Sequence, residues 1–458
     1  MGQFMTPPAT ARFMADLFPD AGGACRLIDA GAGLGALSCA FIDRWNDRRF
    51  DFTTVSVDAF EVDDNLRARL SEFMSSYKNV TVNVTGGDFI ELAVARCISH
   101  ERTYTHAILN PPYKKINNGS QHRQDLRRAG LETVNLYSAF VALALDLMAP
   151  GGVAVAIIPR SFCNGPYYQP FREWILERSS ILRMHLFDSR KSAFKADAVL
   201  QENIIIVLER DGQQGEVVIS TSTDDSFDDL SEHSFPFGKI VFPGDRNRFI
   251  HVPTSVEESP LEALGAGHRL EDLGLKVSTG PVVDFRMKND LVDMPAPGTV
   301  PLLYAVHFAQ RDVIWPILGR KPNALAHTTA TEKWLYPNGW YCVARRFSAK
   351  EERRRVVAGV CSPNAFPGAK KLGFENHLNV FHAGKVGLPE ALAKGLATYL
   401  NTTAVDEAFR RFNGHTQVNA TDLRSIGYPS IEQLTKLGNA AVGHDQSAID
   451  TAFLEAMS

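Results

Sequence analysis

Short apolar runs alternate with stretches of helical periodicity over the first 210 residues of the chain. Seven runs rich in β-branched and other apolar residues predict strands, at 25–33, 52–62, 79–88, 105–110, 151–159, 181–188 and 202–210. Four stretches with apolar residues at helical spacing lie among them, at 36–45, 65–77, 136–148 and 171–179. Strands that alternate with helices predict an α/β domain with a Rossmann-like, doubly wound and mostly parallel sheet.

The alternation fades after about residue 250, and aromatic, proline and glycine residues are scattered through the remainder. This composition predicts a mixed α+β region of short strands and loops, with one clear helix at 388–401. A chain of 458 residues is longer than one ordinary core supports, so two domains are expected. We place the boundary within 240–265 and predict domains over 1–250 and 251–458.

Composition narrows the class of protein. No stretch is long and apolar enough to span a bilayer, so no membrane association is expected, and the N-terminal residues lack the pattern of a secretory signal. The six cysteines form no Cys-x-x-Cys pair, so neither a zinc site nor a disulfide framework is expected. A reducing cytoplasm fits this cysteine usage best.

The net charge of −4 hides two basic regions. Residues 114–128 contain five Lys and Arg and one acidic residue, and residues 311–411 contain sixteen Lys and Arg against eight Asp and Glu. Basic regions on a chain of balanced charge are compatible with a polyanionic partner on one face. For the run KEERRR at 350–355, a solvated helix surface is an interpretation at least as good.

The most informative motif is Asn110-Pro111-Pro112-Tyr113, at the end of the predicted strand 105–110. Two prolines end a strand because neither has an N–H to donate to a neighbouring strand. They also stiffen the backbone, which holds the oxygens of Asn110 and Pro111 beside the ring of Tyr113. Rigid acceptors next to an aromatic ring suit a planar group that carries an amino group, such as a nucleobase. The alternative is an ordinary strand-to-loop turn.

A glycine-rich loop follows the first predicted strand, and acidic residues follow the second and third. Glycines let a ligand approach bare backbone, and a carboxylate after the second strand can hold two ribose hydroxyls. Because the carboxyl ends of parallel strands meet at one rim, these residues and the Asn110 motif are expected to lie together. A tight turn and solvated strand ends are the alternatives. The candidates are Asp29, Gly31, Gly33, Gly35, Glu61, Asp88 and Phe89.

These motifs, in this order, resemble those of S-adenosylmethionine-dependent methyltransferases. More narrowly, residues 3 to about 210 resemble the N6-adenine DNA methyltransferases of bacterial type II restriction–modification systems, the TaqI-like and PstI-like gamma group. The resemblance implies S-adenosylmethionine as cofactor, S-adenosylhomocysteine as product and no metal. It implies that Thr6 and Pro7 contact the methionine end of the cofactor, Glu61 its ribose, and the segment with Asp88 and Phe89 its adenine.

The expected reaction needs no covalent intermediate with the protein, because oxygen atoms of the chain activate the adenine amino group by accepting hydrogen bonds from it. The side-chain oxygen of Asn110 and the carbonyl of Pro111 accept hydrogen bonds from the adenine amino group and direct its lone pair toward the methyl group. The adenine must leave the duplex to reach this motif, so base flipping follows. Tyr113 stacks on one face of the base. Phe194 is expected on the other face, with Phe187 as a rival.

Double-stranded DNA is the expected partner, contacted by two groups of residues. Phosphate contacts near the flipped nucleotide are assigned to Lys114, Lys115, Arg123, Arg127 and Arg128. The resemblance makes residues 251–458 a target-recognition domain, in which Arg reads guanine and Asn or Gln reads adenine. The candidates there are Arg345, Arg346, Lys370, Lys371, His415, Gln417 and Asn419.

Two other functions remain open from the sequence. Enzymes that methylate an RNA base or a protein glutamine also carry an Asn-Pro-Pro-aromatic motif, and a non-catalytic DNA-binding subunit could keep the fold. The large basic and aromatic C-terminal region favours DNA, and the intact glycine loop and Asn110 motif favour an active enzyme. No nuclease motif is evident, so a separate restriction endonuclease that shares the site is the expected partner protein. Such an enzyme would work in the bacterial cytoplasm.

Overall fold

The structure is a computed structural model of the chain. It describes residues 5–187, 202–253, 267–308, 311–348, 352–412, 417–440, 442–443 and 445–458. Two residues named above, Phe194 and His415, lie outside the described residues. Contacts divide the chain into two compact units, residues 1–256 and 257–458, and each is described by itself.

The N-terminal unit is built on one sheet, which has nine strands among the described residues. They are β1 (Gly22–Ala30), β2 (Asp51–Phe60), β3 (Thr81–Thr85), β4 (Tyr104–Leu109), β5 (Met148–Pro159), β6 (Ser179–Phe187), β7 (Asn203–Arg210), β8 (Val217–Ser222) and β9 (Ser231–Phe235). Their order is β3-β2-β1-β4-β5-β7-β6-β8-β9. The first five are parallel, β7 is antiparallel to β5 and β6, β8 is parallel to β6, and β9 is antiparallel to β8.

Helices cover both faces of this sheet. They are α1 (Pro8–Asp16), α2 (Ala36–Asn46), α3 (Asp64–Met74), α4 (Phe89–Ile98), α5 (Gln121–Arg128), α6 (Leu136–Asp146), α7 (Gln169–Arg178) and the short α8 (Phe237–Ile240). Along β4, Ile108 packs in a cluster with α1 and α2, whereas Ala107 and Leu109 pack in a second cluster with α4, α6 and α7. Because successive side chains point to opposite faces, a strand covered on both faces must be apolar throughout.

The predicted α/β fold is confirmed, and each predicted strand and helix of this unit has an observed counterpart. The pattern does not predict α1, α4, α5, α8, β8 or β9. Helix α5 carries few apolar residues, and its start is stabilised by the Ser120 side chain, which accepts from the N–H of Arg123. Among the described residues, no helix has the length and apolar character that crossing a bilayer requires.

The described residues of the C-terminal unit form two sheets and a group of helices, which confirms the predicted α+β class. One sheet has the order β10 (Lys276–Thr279), β18 (Leu378–His382), β15 (Tyr341–Arg345) and β16 (Ala358–Cys361). The other has the order β11 (Leu291–Val292), β13 (Ala324–Ala326), β12 (Thr299–Leu303), β17 (Lys371–Phe374) and β14 (Tyr336–Pro337). The helices are α9 (Glu390–Leu400), α10 (Thr403–Phe412), α11 (Ala420–Ser425), α12 (Ile431–Asn439) and α13 (Gln446–Met457). Only α9 corresponds to the predicted helix.

Helices α9 and α12 pack with their backbones in direct contact. A Cβ atom on Gly395 would lie 1.8 Å from the carbonyl oxygen of Leu434, and one on Gly438 would lie 1.7 Å from that of Ala391. No side chain tolerates contacts this short, so the spacing of the two helices depends on both glycines.

Candidate active site

The glycine loop and the Asn110 motif follow neighbouring strands. β1 pairs with β2 on one side and with β4 on the other, which is the change of strand order at which α/β sheets bind ligands. A Cβ atom on Gly31 would lie 3.9 Å from Cδ of Pro112. The structure therefore brings the loop after β1 and the motif after β4 together, as the sequence predicts.

The glycine loop is held against the end of β2 and leaves backbone exposed. The N–H groups of Gly31 and Ala32 both donate to the carbonyl oxygen of Phe60, each at 2.9 Å. Gly33 has a φ of 58°, in the left-handed region that favours glycine. Among the described residues, no atom lies within 4 Å of a Cβ atom placed on Gly33. The loop thus offers bare backbone to a ligand at this position.

Glu61 links the glycine loop to the start of α3. Its Oε2 accepts from the N–H of Gly33 at 2.9 Å, and its Oε1 accepts from the N–H of Asp63 at 2.8 Å. The side chain is only 4% exposed, so it is fixed in place. Glu61 is therefore a fixed acceptor beside the glycine loop.

Asp29 is fully buried at the end of β1, directly before the glycine loop. Ser38 Oγ donates to its Oδ2 at 2.6 Å, whereas Oδ1 has no hydrogen-bond partner within the part of the chain that the structure describes. Burial raises the pKa of Asp29 to about 7, the bond from Ser38 opposes the rise, and the charge of Glu61 adds to it. An unpartnered buried oxygen beside an open loop fits the cationic methionine end of S-adenosylmethionine.

Asp88 caps helix α4 and pairs with a histidine. Its Oδ1 accepts from the N–H groups of Ile90 and Glu91 at 2.8 and 3.4 Å. Its Oδ2 lies 2.7 Å from Nε2 of His122, on α5. If Asp88 contacts the adenine of a cofactor, its carboxylate has to serve the adenine in addition to Ile90, Glu91 and His122. The spacing of Asp88 and Glu91 is a signal for a helix start, but no local pattern indicates His122.

Phe89 belongs mainly to the hydrophobic core. Its side chain is 4% exposed, and its ring centroid lies 5.1 Å from that of Phe60 and 4.9 Å from that of Phe140. The expected contact with adenine is therefore limited to the small exposed part of the ring. Phe187, the rival for the place beside the flipped base, is also 4% exposed and packs edge-on against His185. This burial leaves Phe187 no open ring face on which a base could stack.

The Asn110 side chain is held from both ends. Its Nδ2 donates to Oγ1 of Thr6 at 2.9 Å, and its Oδ1 accepts from the hydroxyl of Tyr113 at 3.2 Å. The same hydroxyl lies 3.2 Å from the carbonyl oxygen of Ile157, on β5. The single proton of this hydroxyl can therefore be donated to either Asn110 Oδ1 or the carbonyl of Ile157. The ring of Tyr113 is half-buried and meets Tyr137 edge-on.

The basic segment after the motif contains both exposed and buried cations. Lys114 and Lys115 are exposed, as phosphate contacts require. Arg123 is only 6% exposed, and its guanidinium binds the carbonyl of Thr133 and the carboxylate of Glu132. The assignment of Arg123 to phosphate is therefore corrected, because this side chain stabilises the loop between α5 and α6.

The two remaining arginines of this segment are exposed on α5. The side chain of Arg127 is 55% exposed and pairs with Glu132 at 2.9 Å, and that of Arg128 is 68% exposed and pairs with Asp125 at 3.3 Å. Exposed ion pairs of this kind contribute little to stability. Arg127 can therefore exchange its partner for a phosphate at small cost, whereas the cost is greater for Arg128, because the side chain of its partner Asp125 is only 8% exposed.

The candidates of the C-terminal unit differ in how they are engaged. Arg346 donates to Gln417 Oε1 at 3.3 Å and to a backbone carbonyl, whereas Arg345 pairs with Glu352 at 3.3 Å. Lys370 is exposed, Lys371 binds Glu332, and Asn419 begins α11 with its N–H bound to Asp422 at 2.9 Å.

Comparison with known proteins agrees with the geometry. Residues 46–194 match the family model described as Eco57I restriction-modification methylase. The chain is 49% identical over 450 residues to Type II methyltransferase M.BsuBI of Bacillus subtilis, with 96% of this chain and 89% of that protein covered. It is 41% identical over 455 residues to Type II methyltransferase M.PstI of Providencia stuartii, with the same coverage of 96% and 89%.

A solved structure of a restriction-modification enzyme shares the fold over most of the chain. It is the Type IIL restriction-modification enzyme MmeI in complex with DNA, with a TM-score of 0.55 at 10% identity, covering 98% of this chain and 70% of that chain. The sheet order, the glycine loop and the Asn110 motif define the S-adenosylmethionine-dependent methyltransferase class. Within that class, the chain belongs to the family of Type II methyltransferases of restriction–modification systems.

Proposed function

We propose that the chain transfers the methyl group of S-adenosylmethionine to the N6 amino group of an adenine extruded from a specific duplex DNA sequence. The observation that supports this most is the arrangement of Asn110, whose amide is oriented by Thr6 on one side and Tyr113 on the other. Membership of the Type II methyltransferase family supports DNA as the substrate. The product would be protected from a separate endonuclease that reads the same site, in the bacterial cytoplasm.

The cofactor would be held by the residues at the ends of the first three strands. Glu61 would accept the ribose hydroxyls, the open backbone at Gly33 would lie against the ligand, and Asp29 would face its cationic end, with further contacts from Gly31, Gly35, Thr6, Pro7, Asp88 and Phe89. S-adenosylmethionine supplies a methyl group activated by a positively charged sulfur. No metal ligand is part of the proposal.

The chain itself would activate the amino group. An exocyclic adenine nitrogen is a weak nucleophile because its lone pair is delocalised into the ring. Asn110 Oδ1 and the carbonyl of Pro111 would accept its two N–H groups, which localises the lone pair on nitrogen. The Tyr113 hydroxyl would then donate to Ile157, which already lies at 3.2 Å. Thr6 would keep the amide of Asn110 from rotating.

DNA contacts are proposed on both units. Lys114 and Lys115 follow the motif directly, and Arg127 and Arg128 lie at the end of α5; all four are exposed and would bind phosphates. Residues 251–458 would recognise the target sequence, with Arg345, Arg346, Lys370, Lys371, Gln417 and Asn419 as candidates, together with His415. Tyr113 and Phe194 would stack on the flipped base.

The decisive experiment is methyl transfer from labelled S-adenosylmethionine to duplex DNA, RNA and a protein extract in parallel. Wild-type chain should label DNA alone, and nucleoside analysis should find N6-methyladenine. Asn110→Ala should lose roughly 10²–10³-fold in kcat, because one preorganised acceptor is removed, while it still binds the cofactor. Asn118→Ala, an exposed asparagine of the same loop, is the matched control. Label in RNA or protein, or full activity of Asn110→Ala, would refute the proposal.

A further inference from the structure

Three arginines of the C-terminal unit line a small cavity. The cavity has a volume of about 160 Å³ and is lined by Arg311, Arg353, Arg354, Asp445 and Gln446. A single water molecule needs about 10–15 Å³ by the same measure. The cavity therefore has room for a group of several heavy atoms.

The positive charge of this cavity exceeds the negative charge that faces it. Among the described residues, no carboxylate lies within 4.0 Å of the guanidinium of Arg311, Arg353 or Arg354. Asp445 is the one acid among the lining residues, and its Oδ2 is already used to accept the N–H of Ala448 at 3.0 Å. Burial lowers the pKa of Arg311, and the neighbouring Arg353 lowers it further. Burial also lowers the pKa of Arg354, which Asp406 and Asp450 act to raise, but Asp406 is already paired with Arg410. The lining residues themselves provide three cations and one acid, and this excess of positive charge favours an anion.

Hydrogen bonds hold the side chain of Arg354 and the backbone of the other two arginines. Arg354 donates to Gln446 Oε1 at 2.7 Å and to the carbonyl of Thr402, and its Nε is buried with no partner among the described residues. The backbone of Arg353 is held by Arg410, which donates to its carbonyl at 3.4 Å. The guanidinium of Arg354 is therefore held before any ligand arrives, which lowers the entropic cost of binding.

The backbone of Arg311 is fixed as well. Its carbonyl accepts from the N–H of Val360, on β16, at 2.7 Å. Its φ of 70° lies in the left-handed region, which a long side chain rarely adopts and which commonly marks functional sites. The first residues of helix α13 complete the wall of the cavity, and the N-terminus of a helix carries a partial positive charge.

We propose that this cavity is a phosphate-binding site that takes one backbone phosphate of the DNA, a source that rests on the function proposed above. Planar guanidinium groups match the geometry of phosphate oxygens. The exposed position of Arg353 makes the cavity accessible to a phosphate that remains part of a duplex. The site contributes affinity without sequence information and fixes the position of the C-terminal unit on the duplex.

Two variants with opposite expected effects test the site in the full-length chain. The double variant Arg311→Gln with Arg353→Gln removes two cations and leaves Arg354, which holds Gln446 and Thr402, in place. Asp445→Asn removes the opposing charge and keeps a side chain that caps a helix equally well. Arg320→Gln, which removes an exposed arginine outside the cavity, is the control for net charge.

The first measurement uses inorganic phosphate, with chloride at the same ionic strength as reference. Phosphate should raise the thermal midpoint of the wild-type chain, because a ligand that binds the folded state stabilises it. The rise should disappear in the double glutamine variant, grow in Asp445→Asn, and stay unchanged in Arg320→Gln. An equal rise in the wild type and the double glutamine variant would overturn the proposal.

The second measurement is the salt dependence of binding to a duplex that the wild-type chain methylates. The double glutamine variant should bind about tenfold more weakly, and the slope of log K against log salt should fall by about 1. Asp445→Asn should bind several-fold more tightly. Loss of the phosphate response with an unchanged DNA slope would overturn DNA as the source. Failure of the wild type to methylate any duplex would refute the proposed function separately, since the phosphate response does not depend on it.

Discussion

Asp29 makes the stability of the N-terminal unit depend on pH in an unusual direction. A carboxyl group that is ionised in both the folded and the unfolded chain does not make stability depend on pH. Burial, however, raises the pKa of Asp29 in the folded chain from 3.8 to about 7. Replacement by Asn keeps an oxygen that accepts from Ser38 Oγ, which donates to Asp29 Oδ2 at 2.6 Å. The variant Asp29→Asn therefore removes the titration and preserves the shape of the side chain.

The magnitude follows from linkage between proton binding and folding. Between pH 3.8 and about 7, the folded chain keeps a proton on Asp29 that the unfolded chain has lost. Each pH unit in this window therefore lowers the free energy of unfolding by about 1.4 kcal/mol. From about pH 5.5 to about pH 7 the loss is about 2 kcal/mol. Below pH 3.8 Asp29 is protonated in both the folded and the unfolded chain, so stability does not fall. Above about pH 7 it is ionised in both, and the loss of stability has reached its full value.

Urea unfolding of the ligand-free chain at several pH values measures this effect. The contributions of other titrating groups cancel when the free energy of unfolding of the wild type is subtracted from that of Asp29→Asn. This difference should increase by about 2 kcal/mol in favour of the variant from about pH 5.5 to about pH 7. Two units can unfold in two steps, so the comparison applies to the transition that the substitution moves. Ser38→Ala removes the hydrogen bond that lowers the pKa of Asp29. In this variant the decrease in the free energy of unfolding with pH should therefore continue to a higher pH than in the wild type. Parallel pH curves for Asp29→Asn and wild type would refute the reasoning.

Three further predictions concern catalysis, cofactor binding and DNA recognition. Thr6→Val removes the acceptor that holds Asn110 and should lower kcat about tenfold, while Thr6→Ser restores it; steady-state methyl transfer checks both, and an unchanged kcat would exclude a positioning role. Glu61→Gln should weaken cofactor binding more than DNA binding, as calorimetry and DNA titration can show; equal losses would contradict the ribose contact. Removal of the residues beyond 265 should abolish specific DNA binding, and retained target choice in sequencing of modified bases would place recognition in the first unit.

The first unit was largely predictable because its strands are buried on both faces. Such strands read as continuous apolar runs, and parallel order follows from their alternation with helices. Parallel order in turn brings residues such as Gly31 and Pro112 to one rim without any knowledge of side-chain contacts. The C-terminal unit was less predictable, since its strands are short and four of its helices, from α10 to α13, come after residue 400 in a stretch that lacks a strong pattern.

Side-chain roles were harder to predict than elements. Arg123 lies in a charged run that indicates solvent exposure, yet tertiary contacts with Glu132 bury it. In the run 350–355, the described residues form no helix, and Arg355 is buried with its N–H bound to Asp406. Asp88 shows the same ambiguity, because an acid after a strand can meet a ligand or cap the next helix. Only the fold decides between these roles.

The contact between helices α9 and α12 has a consequence for any redesign of the C-terminal unit. Alanine in place of glycine within a helix usually stabilises a protein by about 0.5–1 kcal/mol. At Gly395 and Gly438 the sign should reverse, because a single methyl group would push the two helices apart. This pair is therefore a fixed frame that redesign should leave untouched, with diversity introduced only in the loops of the two small sheets.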